Sequence, residues 1–325
     1  MRGSVNAARE PAARAPLSLA AVLRLSLAAQ AVGGFILAAL FLPAGAPWWG
    51  WLAFVLLLPV VGTAFVLALE LLIGALVDPR RPRGTLLNVL RVWLGESVVS
   101  LRAFGWRQPF AADFPEPVIV HDPARPAVLL VHGYVCNRAV WQPLLASGRL
   151  AGCNVATINL EPVFGDIDGY AGPLQAAIEA LCARSGAAKV TLVCHSMGGL
   201  AARAYLRHHG AARVRQVITV ATPHAGTLFG RLGHGRNARQ MAQRSDFLQQ
   251  LAADETAATR GLFVCIATAD DNLVVPRSSP LLPDAQHHLL AGVGHLALTE
   301  DPRAWDLIAT HLAPPPQADL SALAA

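Results

Sequence analysis

The chain has 325 residues and a formal charge of +5, carried by scattered arginines because Lys189 is its sole lysine. It is 54% hydrophobic and only 14% charged, well short of the roughly 25% charged share of a soluble domain. That balance points to a membrane part, and the lack of any dense basic run argues against a nucleic-acid partner. Five cysteines, mostly in apolar runs, suit neither a disulfide framework nor a zinc site, and a reducing compartment is the simpler reading.

Residues 1–16 are rich in Arg, Ala and Pro and are expected to be disordered. Residues 17–42 are apolar apart from Arg24, Gln30 and a few serines, and residues 48–77 are interrupted only by Glu70. Each run exceeds the ~20 residues needed to cross a bilayer. The connection between them is short and uncharged, so the two spans form an antiparallel hairpin, with Trp48, Trp49 and Trp51 as interfacial anchors. A signal peptide is the alternative for the first run, which is however too long for an h-region and lacks a convincing cleavage site.

Arg2, Arg9 and Arg14 precede the hairpin and Arg80, Arg81 and Arg83 follow it. The positive-inside rule then puts both ends, and everything after them, on the cytoplasmic side of the inner membrane. Counted from the loop, Arg24 and Glu70 lie at nearly equal depth, roughly 27–29 Å from the outer ends at 1.5 Å per residue. They are expected to pair, separate snorkelling to the headgroups being the alternative.

Residues 84–113 form a connecting segment, with helical periodicity over 84–106. Leu87, Leu90, Leu94, Val98 and Leu101 share one face, while Arg91, Glu96 and Arg102 lie largely off it. Periodicity leaves two readings open, a helix on the membrane surface or one packed on the following domain.

Residues 114–313 alternate short strands and helices, the pattern of a parallel α/β sheet. Strands are predicted at 117–121, 127–132, 154–160, 190–194, 216–221, 262–268 and 287–290. Helices are predicted at 139–147, 171–184, 198–209, 237–252 and 302–312. Residues 314–325 read as a loose tail.

Chemistry concentrates in the run from Lys189 to Tyr205. A β-branched strand, Val190 to Val193, turns within a few residues into a helix beginning near Gly198. Ser196 sits at the apex of that tight turn, between Cys194-His195 and Met197-Gly198-Gly199. A serine there is strained and exposed, with the N–H of Met197 at the helix start aimed where an oxyanion would form. A base is needed, and Gly292-Val293-Gly294-His295 offers an imidazole on a glycine-flanked loop. Asp270 and Asp271, after the strand at 262–268, offer the carboxylate that would orient it.

These features resemble the nucleophile elbow and triad order of the α/β-hydrolase superfamily, in its bacterial lipase and esterase branch. Cys194 departs from the usual first glycine of Gly-x-Ser-x-Gly. The resemblance spans roughly residues 127–311 and includes the strand ending in His132-Gly133-Tyr134 and the segment Thr222-Pro223-His224-Ala225-Gly226. It implies an α/β-hydrolase fold, with Ser196 as nucleophile and His295 as base. Asp271 is preferred over Asp270 because Asp271 to Val274 matches the family's Asp-x-x-Val. By the same resemblance the N–H groups of Tyr134 and Met197 form the oxyanion hole, His132 braces its loop, and His224 shapes the pocket wall. The region 224–260 is either a lid or plain packing.

The expected activity is cleavage of carboxylic esters, lipid-like ones included, by a membrane-anchored enzyme needing neither metal nor organic cofactor. An acyltransferase using the same acyl-enzyme, and a non-catalytic scaffold, are the rival readings.

Overall fold

The computed structural model describes residues 17–78 and 85–313. The expected disordered N-terminus, the arginine flanks at Arg80, Arg81 and Arg83, and the tail after 313 lie outside the described residues.

Helix α1 (Leu19–Phe41) begins at Ser18, whose hydroxyl accepts the N–H of Ala21. Helix α2 (Trp48–Val77) follows Pro47 after a short turn. Both are long and apolar enough to cross a membrane, and only 11% of each apolar window is buried within the protein. The two pack closely where Gly34 faces Val55, since a Cβ on Gly34 would lie 3.2 Å from the Val55 Cα.

Helix α3 (Leu86–Arg102), capped by Thr85, continues through a π-helical segment, Ala103–Arg107, into Gln108–Phe110. The Trp93 indole donates to the Ala64 carbonyl of α2 at 2.7 Å, fixing the two helices together. Its orientation divides the two faces that the periodicity left open. Leu87, Leu90, Leu94 and Val98 are exposed, whereas Glu96, Ser97 and Ser100 are buried with Val92 and Val99. The helix turns its polar face inward: the Glu96 carboxylate meets main-chain donors of the following domain, and the Ser97 hydroxyl donates back to the Trp93 carbonyl.

The expected Arg24–Glu70 pair does not form. Arg24 Nη1 donates to the Pro109 carbonyl at 2.9 Å, and Glu70 accepts from Asn272 at 2.7 Å. Equal depth sets height along the helices but not direction around them, and each side chain has a partner elsewhere in the chain.

The remaining chain builds one six-stranded parallel sheet in the order β2-β1-β3-β4-β5-β6. The strands are β1 (Ala127–Val131), β2 (Asn154–Ile158), β3 (Val190–His195), β4 (Val214–Val220), β5 (Phe263–Thr268) and β6 (Gln286–Leu290). Within β1, Leu129 and Val131 join one apolar core with Ile178 and Leu200, while Val128 and Leu130 join the other with Trp141 and Ile308. Both faces are therefore covered, as a parallel sheet requires, and a one-residue slip is harmless to neither core. The helix Ala171–Ser185 ends at Gly186, which takes φ +76°, and Met197–His209 covers the same face.

Two expected elements differ. Residues 117–121 form no strand; Pro115, Pro117, Pro123 and Pro126 remove ladder donors, and the Val120 N–H instead reaches the Asn154 side chain. The helix expected over 237–252 is two pieces, Gly235–Gln240 and Asp246–Asp254. Between them Arg244 takes φ +60° and Ser245 caps the second piece through the Leu248 N–H.

The chain runs from β1 to β2 on one side and reaches β3 on the other. The strand order thus reverses between β1 and β3, and the crevice at their C-terminal ends is where an open α/β sheet places its ligand.

Candidate active site

β3 ends at His195, and Ser196 follows with φ +52° and ψ −123°. A side chain held there is strained by about 1–3 kcal/mol. The surrounding backbone imposes it: Ser196 N–H donates to the Val220 carbonyl at 2.8 Å, and its own carbonyl accepts from Thr222 Oγ1 at 2.8 Å. The glycines after it are required by close approach. A Cβ on Gly198 would lie 2.7 Å from the His132 carbonyl, and one on Gly199 would lie 2.2 Å from Thr222 Oγ1. Cys194, at the position where the family has glycine, pairs in register with Val131 and Thr219 and is fully buried in the core. Burial pushes the pKa of its thiol far up, so it packs as a small neutral hydrophobe.

The structure brings Ser196, His295 and Asp271 into one buried chain of hydrogen bonds. Ser196 Oγ lies 3.1 Å from His295 Nε2, and His295 Nδ1 lies 3.0 Å from Asp271 Oδ2. In the neutral imidazole, Nδ1–H donates to the carboxylate and Nε2 accepts the serine proton. Asp271 Oδ1 also accepts the N–H groups of Leu273 and Val274 at 2.8 and 2.7 Å, which fix its plane. Burial alone would lower the pKa of His295. The Asp271 charge and hydrogen bond, with Glu96 and Glu70, outweigh it and hold the imidazole above its ordinary value.

Of the adjacent aspartates, Asp270 faces elsewhere: its Oδ2 accepts the Gly292 N–H at 2.7 Å and its Oδ1 faces Asn88 Nδ2 at 3.4 Å.

Tyr134 follows β1 after His132 and Gly133, and its hydroxyl is locked by donating to the His234 carbonyl and accepting the His234 N–H at 2.7 and 2.9 Å. Met197 opens its helix, where first-turn N–H groups have no helical acceptor. His132 Nε2 accepts the Leu160 N–H at 2.9 Å, so its Nδ1 carries the proton and donates to the Gly133 carbonyl at 2.9 Å. Burial lowers its pKa to about 4, leaving a neutral brace under the loop. His224 is not part of the cavity wall; its neighbour Pro223 is, and the His224 carbonyl instead accepts from the buried Arg203. In the region 224–260, Phe229, Gly230, Ala238 and Met241 line the cavity, whereas the helix Asp246–Asp254 buries Phe247, Leu248 and Leu251 in the core.

Several residues around the site have no counterpart in the sequence reading. Glu96 of α3 accepts the N–H groups of Leu296 and Ala297, each at 2.8 Å, just after His295. A Cβ on Gly294 would lie 2.4 Å from Glu96 Oε2, so this loop and this carboxylate are mutually fitted. Burial raises the Glu96 pKa, and the two N–H groups partly offset that rise.

Glu70 and Gly74 of α2, and Asp78 that caps its C-terminus, recur every fourth residue, on one side. Glu70 accepts from Asn272, a Cβ on Gly74 would touch Val275 at 3.4 Å, and Asp78 Oδ2 accepts the Arg277 N–H at 3.0 Å. Asn272 in turn accepts the His295 N–H at 3.0 Å. The acid loop and the histidine loop are thus held from the N-terminal side by α2 and α3. The lone charge in an apolar run was the available signal for Glu70; for Glu96 no local pattern offered one.

A cavity of about 720 Å³ opens over Ser196 and His295 and runs between the sheet loops and the N-terminal helices. That volume is typical of small-molecule sites.

A parallel sheet whose central strand ends in a strained elbow serine, with a histidine and an aspartate delivered after later strands, is the α/β-hydrolase fold; here it follows a two-helix hairpin. Residues 127–260 match the family model of palmitoyl protein thioesterase. Among solved structures, the mature form of Bacillus licheniformis lipase BlEst2 is similar at 20% identity and a TM-score of 0.54, covering 61% of this chain and 96% of that one. Aspergillus fumigatus lipase B is similar at 16% identity and a TM-score of 0.54, covering 96% of this chain and 86% of that one.

Proposed function

We propose that the chain is a membrane-anchored serine hydrolase that cleaves carboxylic esters through an acyl-enzyme. The observation that carries the reading is the continuous hydrogen-bonded line Ser196–His295–Asp271 at the floor of the cavity. The similarity to the palmitoyl protein thioesterase model and to lipases supports it.

In this reading His295 Nε2 takes the proton as Ser196 Oγ attacks the ester carbonyl. Asp271 holds the tautomer and stabilises the imidazolium that forms. The oxyanion rests on the N–H groups of Tyr134 and Met197; one such donor is worth roughly 10²–10³-fold in rate. The carbon–oxygen bond breaks as His295 gives its proton to the leaving alcohol. Water, deprotonated by the same imidazole, then adds to the acyl carbonyl, and Ser196 leaves with the proton. A thioester would follow the same course with a thiol leaving.

In the same reading the two long apolar helices anchor the enzyme in the inner membrane with the catalytic domain facing the cytoplasm; the helices' length and the arginines on both flanks support this. A reporter fused after Ala325 reads the orientation, and alkaline phosphatase activity from that fusion would reverse it.

The direct test is Ser196→Ala. Ester turnover by purified protein should fall at least about 10³-fold, and fluorophosphonate labelling should vanish. Turnover at the wild-type rate in that variant would sink the mechanism.

A further inference from the structure

The cavity over Ser196 is unusual in what builds its far wall. One end is polar, formed by Ser196, His295, Glu96, Glu70 and Asn272. From there the lining follows α2 through Leu67, Val66, Thr63, Gly62, Pro59 and Leu58. They fall in adjacent pairs, 58/59, 62/63 and 66/67, each four residues from the next, so they share one face of the helix. From Glu70 to Leu58 that face rises about 18 Å at 1.5 Å per residue. Glu70 lies near the inner boundary of the hydrocarbon layer if the Trp48–Trp51 end marks the outer one, since about 20 residues span the layer. The apolar part of the cavity therefore lies at hydrocarbon depth, and the polar end lies at the boundary.

Three details favour an occupant over empty packing. Gly62 lines the cavity, and a Cβ built on it meets nothing within 4 Å, so the space beside it is unfilled. Gln30 of α1 reaches the same wall, with its amide directed at Ser26 Oγ, 3.2 Å away. The outward neighbour Val61 is 60% exposed and does not border the cavity. The helix thus has one face turned to its surroundings and another turned to a slot that begins at the reactive serine.

We infer that this slot holds the long acyl chain of a membrane lipid ester, with the ester carbonyl at Ser196 and the chain lying along α2. The hairpin is then part of the substrate site as well as an anchor. The inference rests on the hydrolase reading above and adds to it the substrate class and the wall that selects it. A compound with one polar carbonyl end and one long apolar tail matches the order of the lining. A chain long enough to lie along this wall makes van der Waals contacts that a short one cannot reach, so selectivity for long chains over short ones follows from the length of the slot.

The experiment uses the full chain in lipid nanodiscs and a long-chain alkyl fluorophosphonate with a diazirine at the chain end. Phosphonylation at Ser196 tests the hydrolase reading; failure to label there would overturn both that reading and this one. After irradiation, a cross-link within residues 58–66 is the expected result. Labelling at Ser196 with cross-links only to the sheet domain would overturn the inference and leave the hydrolase reading standing. A kinetic arm compares p-nitrophenyl palmitate with the butyrate. Gly62→Phe should lower the palmitate-to-butyrate ratio of kcat/KM by about tenfold, because the ring fills space that only the long chain uses. Val61→Phe, on the outward face, should leave it unchanged. An unmoved ratio in Gly62→Phe would refute the slot.

Discussion

Glu70 and Asn272, 202 positions apart in sequence, are joined by a hydrogen bond of 2.7 Å between a carboxylate on α2 and an amide beside the candidate catalytic acid. Asn272 passes the constraint on, because its Oδ1 receives the His295 N–H at 3.0 Å. Glu70→Ala should therefore lower kcat by about tenfold, one lost charge-assisted hydrogen bond's worth, with a smaller change in KM. Glu70→Gln should recover most of the loss, since an amide oxygen can still accept. Steady-state kinetics on a short ester in nanodiscs would check both, and equal damage in the two variants would point to the charge instead of the hydrogen bond.

The adjacent aspartates should separate in function as they do in space. Asp271→Asn should reduce kcat by about 10²–10⁴-fold, because the amide favours the wrong histidine tautomer. Asp270→Asn should cost less than tenfold, its carboxylate holding Gly292 and facing Asn88. Were Asp270→Asn the worse of the two, the acid would be Asp270.

The pH profile follows from the direction of the His295 shift. The base works as neutral imidazole, and its pKa is raised, so kcat/KM should fall on the acid side with a midpoint above about pH 6.5. The Glu96 charge contributes to that rise. Glu96→Gln should therefore move the acid limb to lower pH as well as reduce the rate. A limb that stays in place would mean that Glu96 is uncharged in the working enzyme.

Stability should depend on an ion pair remote from the reaction. Arg203 and Glu255, both almost fully buried, form a two-pronged pair at 2.6 and 2.8 Å. Glu255→Ala leaves a buried guanidinium and should cost about 3–5 kcal/mol, read as a lowered midpoint in urea unfolding. Replacing both residues by apolar ones of similar volume should recover much of the loss.

The elbow and its partners were legible because each is a short pattern: β-branched strand, small turn residues, serine, then helix. The sheet followed from alternating apolar runs. What escaped the sequence depends on direction, which periodicity does not contain. The stripe of Leu87, Leu90, Leu94 and Val98 identified a face of α3, yet that face points outward and Glu96 points in. A depth count matched Arg24 to Glu70 in height while both turned to other partners. At 117–121 the β-branched residues suggested a strand, and the flanking prolines prevented one.

The clamp of α2 and α3 on the last two loops also fixes an order of events during synthesis. The hairpin, which ends at Val77, leaves the ribosome 195 residues before Asn272 and 218 before His295, about 10–40 s earlier at usual translation rates. On the anchored reading proposed above, the newborn chain has time to place α1 and α2 in the bilayer while Asn272 and His295 are still unmade. Glu70 and Glu96 are then already made when the loops that they hold arrive, so the last-made part of the reactive centre closes onto the first-made part of the chain.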